Sequence, residues 1–211
     1  MPLQICLLLL LGGIASVWGN ADVAPPTFRY EAYVAGALAG RVWVTVDVND
    51  VGYHISGKAR SEGLFALTEW RATFSASGQV HEQGSTPKRY SLTQKDNNKI
   101  REVSVVDGEL TVYKDGKIRG KGAELARFDI LTVLFIAPIC SDSLDFHTGR
   151  HSYVLTRVGE PSEMCRYSVV DDDGDTYHVA LKLVERNGLV VPGVVEVIGF
   201  IAGRMELVDN P

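Results

Sequence analysis

Charge is what the start of this chain lacks. From Met1 to Ala21 there is no Asp, Glu, Lys or Arg, and an apolar run from Ile5 to Leu11 continues through Gly12, Gly13, Ile14, Ala15, Ser16 and Val17. The run has the length of a signal-peptide core and is too short for a bilayer span, which needs about 20 apolar residues. Paired glycines also cost about 1 kcal/mol each in helix propensity. Residues 1–21 are therefore expected to be a secretory signal, cleaved after Gly19 or Ala21, in preference to an uncleaved anchor. The segment Met1-Pro2-Leu3-Gln4 has no Lys or Arg, so its only cation is the amino terminus. A lipid anchor is not expected, because Cys6 precedes the leucine run.

Other absences bound the remainder, residues 22–211, which shows no Pro/Ser-rich linker and is expected to be a single domain. Cysteine is scarce: of three, Cys6 falls in the signal, leaving Cys140 and Cys165. An even pair in an exported chain is expected to form a disulfide, and no C-x2-C pair suggests zinc. Positive charge is not in excess: 21 Lys+Arg against 26 Asp+Glu give a net charge of -5, which argues against a nucleic-acid partner. G-x-S-x-G, Gly-rich phosphate loops and H-E-x-x-H are all missing, so neither a catalytic constellation nor a cofactor is expected. A hydrolase would need Ser, His and Asp dispersed in the sequence to converge, and His54, His81, His147, His151 and His178 are the positions to inspect.

Two clusters resemble metal sites and read otherwise. In Asp171-Asp172-Asp173-Gly174-Asp175 the glycine comes too early for an EF-hand and no Glu follows at the bidentate place, so a type I′ hairpin turn with solvated carboxylates is expected. His147 and His151 flank Thr148-Gly149-Arg150 across a turn with no third ligand, so no metal is expected.

What the sequence does contain is period-two alternation. Leu38, Gly40, Val42, Val44, Val46 and Val48 share one face of a strand, and Ala39, Arg41, Trp43, Thr45 and Asp47 the other. Tyr53 to Ala59 repeats the pattern. Further strands are expected at 70–77, 88–94, 100–106, 109–113, 142–146, 151–158, 165–170, 176–184, 194–199 and 204–208. Turn signals include Asp107-Gly108, Asp115-Gly116, Asp173-Gly174 and Asn187-Gly188. Between Gly122 and Pro138 the spacing changes: Leu125, Phe128, Leu131, Thr132, Leu134 and Phe135 predict one main helix.

The expected fold is all-β, mainly antiparallel: a strongly curved sheet forming an open or spiral β-barrel with one main α-helix. Such a curl is either filled by its own side chains as core or encloses an apolar cavity, with Val42, Val44, Phe74 and Phe135 as the candidate lining. Leu64, Phe65 and Leu67 lie in a connection and suggest a lid at the barrel mouth.

Several stretches carry a family resemblance: Tyr30 to Tyr33 followed by Gly36-Ala37-Leu38-Ala39-Gly40, then Tyr53 to Ala59 and Gly63-Leu64. Pro87-Lys88-Arg89-Tyr90, Phe128-Asp129-Ile130-Leu131-Thr132, Cys140 ahead of Leu144 to Arg150, Cys165, and Pro192 to Leu207 continue it in order. In these the chain resembles a bacterial envelope family, the domain-of-unknown-function family numbered 3108, whose frequent Asp-Pro before the helix stands here as Asp129-Ile130. The resemblance implies a signal-bearing periplasmic protein with a strongly curved sheet and no established reaction. The expected function is non-catalytic support of the cell envelope by binding a lipid or other hydrophobic ligand. The alternative is a scaffold for another envelope protein, and a hydrolase is the remaining reading.

Overall fold

The structure, a computed structural model, describes residues 24–81, 84–122, 125–137, 140–160, 163–199 and 202–208. The expected signal at 1–21 therefore lies outside the described residues, as do Pro138 and the side chain of Leu64.

Strands β1 to β8 (Thr27–Val34, Ala37–Val48, Gly52–Ser61, Arg71–His81, Gly84–Asp96, Lys99–Val106, Glu109–Lys114, Lys117–Lys121) form one meander. Strands β9 to β15 (Phe128–Asp129, Ser143–His147, Ser152–Arg157, Met164–Asp171, Thr176–Arg186, Leu189–Ile198, Gly203–Val208) form a second. Pairing of β1 with β15, from Arg29↔Val208 to Val34↔Gly203, fuses them into a single 15-stranded sheet. All neighbours are antiparallel except β9 and β10.

This order forces the sheet to curl. Strands β8 and β9 are its two ends, yet only residues 122–127 join them. Laid flat, fifteen strands at about 4.8 Å spacing would hold those ends roughly 65 Å apart, whereas the connection reaches at most about 25 Å. The edges overlap without pairing. Arg127 Nη2 donates to Ser85 O, and Tyr90 Oη donates to Thr148 O, so the β9–β10 end lies against β5.

Tight turns follow the sequence signals. Asp107-Gly108, Asp115-Gly116 and Asn187-Gly188 have both residues at positive φ, the type I′ geometry that matches strand twist, and so does Ala35-Gly36, which carried no such expectation. The acidic turn differs from expectation. Only Gly174 has positive φ there, and the Asp171 carboxylate accepts the N–H groups of Asp173 and Asp175, drawing a wider turn closed.

The helix is shorter than its spacing predicts: α1 is Ile130–Phe135. Phe128 and Asp129 instead pair with Phe146 and His147 as β9. Asp129 ends that strand and starts the helix, its Oδ1 accepting the N–H groups of Leu131 and Thr132, the N-cap arrangement that satisfies otherwise orphaned donors. Inside the curl, Leu131 and Phe135 pack with Tyr30, Val44, Val46, Tyr53, Ile55 and Val191 of the first core. Val133 packs into a second core with Phe146, Leu155, Cys165, Tyr167 and Val169. The helix thus plugs the barrel and joins its two halves.

Candidate functional site

Alternation along the second meander builds an apolar floor. Cross-strand rows place Leu144 opposite Leu155 and Leu155 opposite Val169, then Tyr167 opposite Val179 and Val179 opposite Val197. Leu181 continues the floor to Val195. Ile130, Val133 and Leu134 of α1 form the facing wall, and between them lies a cleft of about 180 Å³. Tyr167 supplies the one hydroxyl in its lining, and burial raises the pKa of that group. With Val197 at 36% exposure, the cleft opens along β14.

The walls are tied covalently. Cys140, shortly after α1, forms a disulfide with Cys165 on β12. Cys165 is buried in the same core that floors the cleft, so the bridge holds the helix side against the sheet side. A disulfide fits a protein outside the reducing cytoplasm. Among the described residues no helix is long and apolar enough to cross a membrane.

The four candidate cavity residues come together as core and not around an opening, with Val42 and Phe74 packed against the cluster that buries Val44 and Phe135. Val44 and Phe135 are buried in the first core, where α1 fills the barrel. Phe74 lies across Gly57, where an added Cβ would come within 2.4 Å of its ring. Val42 borders a separate rim hollow of about 330 Å³, shared with Ala32, Val34, Ala59, Phe65 and Trp70. The expected lid is a 3₁₀ turn, Gly63–Thr68, with Phe65 over that hollow and Leu67 at 92% exposure.

The histidines are scattered. His54, His81 and His178 are exposed on strands. His147 is buried edge-on against Tyr90, its Nδ1 accepting the Gly149 N–H, which leaves the ring proton on Nε2. Burial lowers its pKa to about 4, so the ring is neutral at pH 7. His151 Nδ1 instead meets Asp172 Oδ1 at 2.8 Å and Asp173 Oδ2 at 3.4 Å, a surface contact that joins two hairpin turns and gathers one imidazole and two carboxylates. That hydrogen bond holds the Asp172 carboxyl below the usual range.

Sequence reasoning missed one buried polar chain. Tyr53 Oη donates to Thr132 Oγ1, which donates to Asp129 Oδ2 at 2.6 Å. Asp129 and Thr132 are fully buried, and desolvation raises the Asp129 pKa despite the hydrogen bonds that its carboxylate accepts from the Leu131 and Thr132 N–H groups and the Thr132 hydroxyl. The network braces the helix behind the cleft. No family model, curated protein or solved structure matches the chain.

Proposed function

We propose that this is a non-catalytic protein, exported to the periplasm through a cleaved signal, that supports the cell envelope by holding an apolar chain such as a lipid acyl tail between α1 and strands β10–β14. The observation that carries the reading is the cleft whose lining is apolar but for Tyr167. At about 180 Å³ it is smaller than the roughly 300–1,000 Å³ of drug-sized sites, a size suited to part of an acyl chain. The disulfide and the resemblance to the envelope family support the same compartment. Strand addition by a protein partner meets an obstacle at β8, which carries Lys117, Arg119 and Lys121 on a wholly exposed edge, the charged kind that resists pairing.

Titration with cis-parinaric acid tests the reading. Binding should saturate, and Val179→Trp or Val197→Trp, which fill the cleft opening, should weaken it at least tenfold with little change in melting temperature. Absence of uptake, or uptake indifferent to both substitutions, would overturn it.

A further inference from the structure

Cations gather on the outer face of the first meander in one cross-strand row. Arg41 lies opposite Arg60, Arg60 opposite Arg71 and Arg71 opposite Lys95, on β2 to β5. Like charges directly opposite one another destabilise a sheet. Glu62 relieves part of the row, binding Arg41 at 2.7 Å and Arg60 at 2.7 Å, and Glu31 also pairs Arg41. Arg71 and Lys95 are exposed and form no ion pair among the described residues. Lys58 and Arg60 are held over the Trp43 ring, 5.5 and 5.2 Å from its centroid.

Of these cations Lys58, Arg60 and Arg71 face a cleft of about 530 Å³, lined also by Trp43, Trp70 and Glu69, with Glu69 the one acid in the lining. The 3₁₀ turn is the ridge beside it. Ala66 faces this cationic cleft, Phe65 faces the apolar rim hollow, and Ala59, Arg60, Ser61 and Trp70 border both. On the same turn is Leu67, almost entirely exposed. Fixed cations, an apolar hollow sharing their wall and a protruding leucine are complementary to the parts of one molecule: an anionic head, an acyl chain and the bilayer surface that offers both.

We propose that this rim docks on anionic phospholipid, with the head phosphate on Lys58, Arg60 and Arg71, Lys95 adding long-range attraction, an acyl chain entering under Phe65, and Leu67 inserting between head groups. The proposal rests on the lipid-binding reading for its ligand class and uses a separate site. Aromatic pinning of Lys58 and Arg60 reduces the freedom lost when an anion binds.

Vesicle co-sedimentation of the purified protein decides it. Phosphatidylglycerol–phosphatidylethanolamine vesicles should bind at least tenfold more tightly than phosphatidylcholine–phosphatidylethanolamine vesicles, and the preference should fall with added salt. Arg71→Glu with Lys95→Glu should lower binding at least tenfold, and Leu67→Asp, at a position with almost no packing to lose, should do so as well. Equal binding to neutral vesicles, or no effect of the charge reversals, overturns the proposal. So does displacement by inorganic phosphate at head-group concentrations, or a single-stranded oligonucleotide that binds tighter through the same residues. Parinaric acid uptake, measured on the same variants, separates the two sites. Uptake retained while vesicle binding is lost supports two sites; vesicle binding without any uptake sinks the inner-cleft reading alone.

Discussion

Tyr53 on β3 and Thr132 on α1, 79 positions apart, meet through a 2.8 Å hydrogen bond inside the barrel. Tyr30 makes the contrast: its hydroxyl is buried with no hydrogen-bond partner among the described residues, and desolvation raises its pKa. Tyr53→Phe is expected to destabilise by about 1 kcal/mol, while Tyr30→Phe should be neutral or stabilising by up to about 1 kcal/mol, because it removes a polar group that was desolvated for no return. Urea denaturation of the two variants reads the difference. Equal losses would show that the two hydroxyls are equivalent.

Asp129→Ala should be the most damaging polar substitution. It removes the helix cap and leaves the N–H groups of Leu131 and Thr132 unsatisfied in the core. The expected loss is about 2–4 kcal/mol, combining a cap with buried unpaired donors. Because α1 is one wall of the cleft, parinaric acid binding should weaken in parallel.

His147 sets an acid limit. Its folded pKa of about 4 lies below the ordinary value of 6.5, so the native state refuses a proton that the unfolded chain accepts. The stabilisation is present above pH 6.5 and is lost as pH falls through 4, about 3 kcal/mol in all. Asp129 works in the opposite sense, since a raised carboxyl pKa adds stability as pH falls. His147→Gln should abolish its part of the acid-side slope, which urea midpoints at successive pH values between 7 and 4 will show.

The bridge spans a sequence separation of 25. Reduction should cost about 3 kcal/mol on the chain-entropy account. It should also loosen the helix wall, so the reduced protein, kept below its unfolding temperature, is expected to bind parinaric acid less tightly. Unchanged affinity after verified reduction would separate the disulfide from the cleft.

Gly149→Ala tests how the sheet ends overlap. Gly149 has φ +74, and an added Cβ would fall 2.3 Å from Val103 Cγ1 on β6. Strain and overpacking together should cost at least about 2 kcal/mol, measurable as a lowered melting temperature.

Half-buried strands were the readable part of the fold. Leu38 to Val48 alternates because one face meets the core, and β2 spans nearly those residues. Strand β8, Lys117–Lys121, has no alternation to read because both faces are exposed. Strand β14 begins at Leu189, ahead of the expected start at Val194, since Pro192 sits at a register shift where its missing N–H is tolerated. The helix start was written in Asp129, an N-cap residue before an apolar run, but the apolar spacing of Leu125 and Phe128 concealed it. For the site, the strands carrying Val179 and Val197 were visible. Which half of the barrel keeps an opening was not: alternation shows that Val44 faces inward, and only three-dimensional packing shows that Phe135 fills the space before it.

The β1–β15 pairing has a consequence in time. It places residues about 175 positions apart side by side in the middle of the sheet, so the first meander can form early while β1 keeps one edge bare until β15 arrives. Such non-local closure predicts slow folding with a high contact order. The last strand is therefore the keystone: the sheet stays in two halves, each with a bare edge at its centre, until the end of the chain is in place.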